Sequence, residues 1–137
     1  PAMNLVEVPV DGGLRLGGAV VTLDDESTAA VRASGAARVV LGFRPENVRV
    51  VVGGSADAAG GVATARIRTV EDLGSEVFLH LRFDQEGTDT SLVAKVAVPF
   101  AGRPGDTVSI AVDGTTHVFA PSGERIATGH STVRAMS

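Results

Sequence analysis

The chain has 137 residues, with 12 Lys and Arg against 16 Asp and Glu, and a formal net charge of −4. It contains no cysteine, which excludes disulfides and thiolate metal sites, and Lys95 is its sole lysine. Because affinity for a phosphate backbone comes from clustered cations, nucleic acid is a poor candidate partner. No apolar stretch approaches the roughly 20 residues of a membrane-spanning helix.

Short segments with a period of two predict β-strands along most of the chain, and the clearest is Val77–Phe83. Glycine- and proline-containing turns separate these segments at the spacing of a small barrel or sandwich. The predicted fold class is therefore mainly all-β. The predicted strands are 4–10, 18–23, 38–43, 48–52, 62–70, 77–83, 92–98, 108–112 and 116–120.

One segment predicts a short helix instead. Residues 25–34 are rich in alanine, Asp24 or Asp25 can cap their N-terminus, and Gly35 suits a left-handed residue after their C-terminus. The glycine-rich segment 53–61 is the best candidate for a joint between two subdomains, and a long hairpin loop is the equal alternative. Residues 127–137 have little apolar content, so we expect a tail that frays.

Residues 1–4 contain neither an initiator methionine at the start nor a signal-peptide pattern, so we expect the chain to be cut from a longer one. No GxxxxGK[ST] phosphate loop and no GxSxG nucleophile turn occurs in the sequence. The histidines at 80, 117 and 130 lack metal-ligand spacing. We expect His80 on the outer face of its strand and a structural role for His117.

Two stretches are more elaborate than a plain barrel requires. In residues 42–47 (GFRPEN) a proline forces a turn, and the flanking Arg44 and Glu46 can form a surface ion pair. In residues 71–76 (EDLGSE) a polar corner joins two strands, and glycine allows a positive φ. A structural turn is the favoured interpretation of both on physical grounds. The candidate motif residues are Gly42, Arg44, Pro45, Glu46, Glu71, Leu73, Gly74, Ser75 and Glu76.

These stretches resemble, in order, the regulatory region of the ATPases of maltose-importer-type ABC transporters. Residues 1–5 resemble the link that leaves the nucleotide-binding domain in that family. Residues 41–48 (LGFRPENV) resemble the turn G-[IV]-R-P-E-x-[LV], with Phe43 in the branched-aliphatic position. Residues 70–76 (VEDLGSE) resemble the corner [VE]-E-x-L-G-x-E.

Two further motifs extend the resemblance to about residue 126. Residues 103–108 (RPGDTV) resemble the family's R-P-G-D-x-V entry to a strand. Residues 117–126 resemble its closing segment, with Ala120 at the position where the family usually has Asp. Five motifs in family order carry the assignment.

The resemblance implies a TOBE domain, an OB-like β-barrel that can consist of two intertwined subdomains, spanning residues 1–126 and followed by the tail 127–137. It implies a non-catalytic regulatory domain that holds a homodimer together, on the cytoplasmic side of the membrane. It also implies a parent ATPase that binds ATP and Mg²⁺ and works with permease subunits to import sugars, oligosaccharides or glycerol phosphate. A regulatory protein is a further implied partner. No cofactor, metal or catalytic residue is expected in this chain itself.

Two questions about this expectation remain open in the sequence. Phe78 and Phe100 are candidate apolar contacts for a second subunit, and the edge of the internal core is the favoured alternative for both. The other function considered is a barrel that senses a small ligand, either an oxyanion or a sugar. Backbone amides at Gly74 and Ser75 are its candidate anion site, whereas the scarcity of aromatic side chains argues against a sugar.

Overall fold

The structure, a computed structural model, describes residues 3–10, 13–16, 19–52, 63–83 and 91–135. Within these ranges the chain is mainly β, with a single α-helix and a short 3-10 turn, as the sequence predicts. The elements are β1 (Asn4–Pro9), β2 (Leu14–Leu16), β3 (Ala19–Leu23), α1 (Asp25–Ser34), β4 (Arg38–Phe43), the 3-10 turn (Pro45–Asn47), β5 (Val48–Val52), β6 (Ala63–Asp72), β7 (Val77–Phe83), β8 (Ser91–Val96), β9 (Thr107–Val112), β10 (Gly114–Phe119) and β11 (Arg125–Ala135).

The strands form two antiparallel sheets. Sheet I has the order β1-β4-β10-β11-β3-β2, and sheet II has the order β5-β9-β6-β7-β8. In each sheet the two edge strands approach each other, β1 with β2 and β5 with β8, at Cα–Cα distances within 8 Å. Both sheets are therefore curled, which is how a small antiparallel sheet protects its edges.

The inward side chains of both sheets form one hydrophobic cluster. Along β7 the alternation predicted by the sequence is realised, because Val77, Leu79, Leu81 and Phe83 are buried while His80 and Arg82 are exposed. Leu41 and Phe43 of sheet I belong to the same cluster. Burying this apolar area is the main stabilising contribution to such a fold.

Helix α1 has the bounds that the sequence predicts. Asp24 is its N-cap, and its side chain accepts a hydrogen bond from the Ser27 backbone N–H at 2.8 Å. Gly35 ends the helix at φ 67° and donates its N–H to the Arg32 carbonyl. Ser27 and Val31 are buried on the face that meets sheet I.

Strand β11 corrects the expectation that residues 127–137 form a fraying tail. Residues 125–135 form a strand that pairs with β10 on one side and with β3 on the other. The segment is poor in apolar residues, but a central strand with two partners is stabilised by its backbone ladders as well as by side-chain burial. Strand β2 was not predicted either, because its three residues are too short for a periodic pattern.

The predicted joint at residues 53–61 lies outside the described residues. The strands on either side of it, β5 and β6, both belong to sheet II and are separated there by β9. The chain passes between the two sheets elsewhere, once after β4 and once after β9.

Candidate functional site

The first predicted motif lies where the chain leaves sheet I and enters sheet II. Arg44 is extended at φ −80° and ψ 149°, the conformation that a following proline favours. Pro45 is buried and opens the 3-10 turn, where its missing N–H is no loss. The turn is closed by a 3.0 Å hydrogen bond from the Asn47 N–H to the Arg44 carbonyl.

The return crossing, at Asp113, lies directly against this turn. The Asp113 N–H donates to the Asn47 carbonyl at 3.0 Å. Gly114 has φ 127°, and a Cβ placed there would lie 3.1 Å from Cγ of Asn47, so only glycine fits without a shift. On either side of these crossings β4 pairs with β10 and β5 pairs with β9. The two sheets are thus joined by one antiparallel pair of strands that bends at this point.

The motif side chains around this crossing have different environments. Gly42 is buried beneath Met3 and Phe119, and a Cβ there would lie 3.0 Å from Cε of Met3. Arg44 and Glu46 are exposed. The expected ion pair between those two side chains is wrong, because it does not form among the described residues. The turn is therefore stabilised by the backbone of the motif, by the close packing of Gly42 and by the buried Pro45.

The second predicted motif forms the hairpin corner between β6 and β7. The Leu73 N–H donates to the Glu76 carbonyl at 2.8 Å, and Gly74 takes φ 86° as predicted. The Gly74 N–H donates to Oδ1 of Asp72 at 2.8 Å. This amide is therefore already bound to a carboxylate, which disfavours an anion site at Gly74 and Ser75.

Charged side chains of the corner pair with neighbouring strands. Oε1 of Glu76 lies 3.0 Å from Nζ of Lys95 on β8, and Oε1 of Glu71 lies 4.0 Å from Nε2 of His80 on β7. Leu73, by contrast, has 57% of its surface exposed, and Val98, just after β8, has 47% exposed. Because Val77 and Val96 are paired, both apolar side chains lie at the same end of sheet II.

Within the family-like stretch 103–108, the turn Arg103–Asp106 stabilises a β-bulge in β6. Oδ2 of Asp106 accepts the Arg103 N–H at 2.8 Å and closes the turn. Gly105 then donates to the Ile67 carbonyl at 2.8 Å, while the Asp106 carbonyl accepts the Ile67 N–H at 2.9 Å. Just beyond Ile67 the register with β7 shifts and leaves Arg68 as the extra residue. The turn thereby holds the bulge that determines where Arg68 points.

A buried asparagine on β1, at the edge of sheet I, forms hydrogen bonds with β8, at the edge of sheet II. Asn4 on β1 is 8% exposed, and its side-chain amide donates to the Val93 carbonyl and accepts the Val93 N–H, each at 2.8 Å. The side chain thus takes the place of a strand partner along the open edge of β8. The sequence alone did not single out Asn4, because a polar residue at the start of a strand has no distinctive pattern.

Beside this contact, a cleft of about 330 Å³ opens between β1 and sheet II. We call it the Arg68 cleft, and its lining residues are Met3, Asn4, Leu5, Arg68, Thr69, His80, Leu81, Ser91, Leu92 and Val93. Sequence reasoning missed it, because the cleft depends on the bulge and on the approach of two sheets.

The histidines behave as the sequence predicts where their side chains are described. His80 is exposed on the outer face of β7, and Nδ1 of His117 lies 3.0 Å from Oγ1 of Thr128 on β11. The His130 side chain lies outside the described part. In the portion of the chain with described positions, no group of three His, Asp or Glu could hold a metal ion. No helix in that portion is long and apolar enough to cross a membrane.

The two phenylalanines considered as contacts for a second subunit are not free. Phe78 is 6% exposed, and Phe100 is half-buried and packed against the hydrophobic cluster. The favoured alternative, the edge of the internal core, describes Phe100. Phe78 is buried on the outer face of β7, beside Glu71 and Lys95 on the neighbouring strands.

Comparison with known proteins matches two family models to this chain. A MalK OB fold domain matches residues 1–48, and a TOBE domain matches residues 41–119, which is more than half of the chain. The two matches meet at the crossing between the sheets. The second therefore covers all of sheet II together with β10.

Curated relatives match along nearly the whole chain. The diacetylchitobiose uptake system ATP-binding protein MsiK of Streptomyces coelicolor is 36% identical over 92% of this chain and 36% of its own length. The sn-glycerol-3-phosphate import ATP-binding protein UgpC of Ruegeria sp. is 33% identical over 93% of this chain and 32% of its own length. UgpC of Bordetella pertussis is 32% identical over 92% of this chain and 34% of its own length.

The chain spans about a third of the length of these relatives. The crossing motif, the hairpin corner and the Arg103–Asp106 turn all fall inside the TOBE match. This chain belongs to the TOBE domain family, and it begins with a MalK-type OB fold segment.

Proposed function

We propose that this chain is the non-catalytic regulatory and dimerisation domain of the ATP-binding subunit of an ABC importer. The transported solute is a sugar, an oligosaccharide or glycerol phosphate. The observation that carries the proposal is the alignment of more than nine-tenths of the chain with ATP-binding proteins of diacetylchitobiose uptake and glycerol-3-phosphate import. The remaining two-thirds of such a subunit would hold ATP and Mg²⁺ and would contact the permease at the inner face of the cell membrane.

The residues encoded before Pro1 test this parentage. We expect a GxxxxGK[ST] phosphate loop there, because its lysine and hydroxyl side chains contact the nucleotide phosphates and Mg²⁺. A gene that encodes no nucleotide-binding motif upstream would contradict the proposal.

The exposed apolar end of sheet II supports the dimerisation part of the proposal. We define the Leu73 surface as Leu73 and Val98, with the Glu76–Lys95 ion pair beside them. Exposed apolar side chains bordered by charged ones are typical of the centre and rim of an interface. A standard interface buries about 800 Å² per partner, and the surface of this chain totals 7322 Å². A dimer interface of standard size would therefore bury about a tenth of the surface of each chain.

Light scattering over a concentration series tests self-association of the chain. We expect the weight-average mass to rise from one chain towards two as concentration increases, since an isolated domain keeps only part of the interface of its parent. A constant monomer mass up to the highest concentration would contradict the dimerisation role and would leave the family assignment intact.

The exposed side chains at the crossing between the sheets are available to a regulatory protein. The side chains of Arg44 and Glu46 are exposed and form none of the hydrogen bonds that close the turn, so they are free to contact a partner without loosening the fold. Replacing both with alanine should leave the melting temperature nearly unchanged. In the assembled importer, the same change should weaken any regulation exerted through this surface.

A further inference from the structure

The Arg68 cleft has the chemistry of a site for an anionic ligand. Arg68 and His80 are the ionisable side chains that line it, and no carboxylate is among its described lining residues. The hydroxyl groups of Thr69 and Ser91 add hydrogen-bonding capacity. Glu71 approaches His80 at 4.0 Å but does not line the cleft.

The backbone position of Arg68 beside the cleft is set by the fold. Arg68 is the extra residue of the β6 bulge, and the Arg103–Asp106 turn forms two backbone hydrogen bonds with the adjacent Ile67. The Arg68 guanidinium makes no hydrogen bond or ion pair with another described residue. It therefore keeps its planar set of donors, which matches the oxygens of a phosphate group.

The opposite wall of the cleft is held in place by hydrogen bonds between β1 and β8. Asn4 is bound to Val93 through both of its amide atoms, which holds β1 against β8. Met3, Leu5 and Leu92 give this part of the cleft an apolar surface. A ligand that fits both halves carries a phosphate at one end and a short carbon chain at the other.

We propose that the Arg68 cleft binds a small phosphate monoester. Arg68 contacts the phosphate oxygens, Thr69 and Ser91 contact phosphate or hydroxyl oxygens, and His80 offers a ring nitrogen for a further hydrogen bond. The volume of about 330 Å³ is at the lower end of the range for small-molecule sites, which suits a ligand of this size.

The test is an NMR titration of the chain with glycerol 3-phosphate, inorganic phosphate and sulfate at constant ionic strength. We expect saturable amide shifts for glycerol 3-phosphate that are concentrated at residues 68–69 and 91–93. Inorganic phosphate should bind more weakly, because it does not reach the apolar wall. Shifts spread evenly over the basic side chains, or none at all, would overturn the proposal, and equal affinity for inorganic phosphate would contradict the choice of a monoester.

Variants give an independent measurement of the same site. Arg68→Ala should weaken binding by at least about tenfold, the effect of losing a charge-assisted hydrogen bond. Arg68→Lys should have an intermediate effect, because the charge remains but the fork of donors is lost. Arg125→Ala removes an exposed arginine outside the cleft and should leave affinity unchanged. An unaltered affinity in Arg68→Ala, with its amide spectrum otherwise native, would contradict the assignment.

Discussion

Asn4 is the residue whose side chain replaces a missing strand partner between the two sheets. Its two 2.8 Å hydrogen bonds satisfy the N–H and C=O of Val93, which β7 does not reach on that side. An amide group is the side chain suited to this, because it presents a donor and an acceptor together. An ionised carboxylate would leave the Val93 carbonyl without a donor, and an apolar replacement would leave both backbone groups without a partner.

We predict that Asn4→Ala lowers the free energy of unfolding by about 1–3 kcal/mol, since it leaves a half-buried donor and acceptor unpaired. Thermal and denaturant unfolding measure the change. Thr64→Ala, at an exposed position of β6, is the control and should alter stability by less than about 0.5 kcal/mol. Equal stability of Asn4→Ala and Thr64→Ala would show that the contact with Val93 contributes nothing.

Another residue-scale constraint explains how α1 docks on sheet I. A Cβ on Gly129 of β11 would collide with Oδ2 of Asp24 and with Oγ of Ser27, so the capped end of the helix rests directly on this glycine. The same glycine weakens the strand pattern of β11 in the sequence. Gly129 thus allows the helix to pack and, together with the low apolar content of residues 127–137, weakens the sequence signal for a strand.

Elements with purely local signals were predictable, and elements defined by distant contacts were not. The bounds of α1 follow from Asp24 and Gly35, and the bounds of β4 and β5 follow from their apolar residues and from the proline turn between them. The bulge in β6 leaves no such signal. It depends on Gly105 and Asp106, which lie nearly 40 residues further along the chain.

The Arg103–Asp106 turn gives a prediction at this scale. Asp106→Ala removes the 2.8 Å hydrogen bond from the Arg103 N–H, and it should weaken the two backbone hydrogen bonds between the turn and Ile67. We expect the free energy of unfolding to fall by about 1 kcal/mol. Relative to the wild type, hydrogen exchange at the Ile67 amide should become faster by a larger factor than exchange at the core amides of β7. Thr107→Ala, an exposed neighbour, is the control. Unchanged exchange at Ile67 in Asp106→Ala would mean that the turn does not hold the bulge.

At the scale of the whole molecule, the strands of sheet II interrupt sheet I in the sequence. The chain first forms β1–β4 of sheet I, then all of sheet II (β5–β9), and then returns to sheet I for β10 and β11. Both connections cross at Asn47 and Asp113, which are joined by a hydrogen bond. The two curled sheets are thus joined at one bend and share one hydrophobic core.

The candidate site could be predicted from the sequence only in part. The motifs at residues 42–47 and 71–76 are corners, as expected, but their neighbours Asp113 and Lys95 are set by strand pairing that no local pattern specifies. The exposure of Leu73 is likewise a property of the hairpin geometry. Phe78 was a candidate contact because it lies on the outer face of β7, yet it is buried there.

Sedimentation velocity of the chain and two matched variants tests the central claim that this domain joins subunits. Leu73→Thr removes the apolar side chain from the Leu73 surface, whereas Val52→Thr makes a similar change at an exposed position of β5. We predict that the wild type and Val52→Thr shift to faster sedimentation as concentration rises, and that Leu73→Thr remains at the monomer value. Concentration-independent sedimentation of the wild type, or identical association by Leu73→Thr, would contradict the claim.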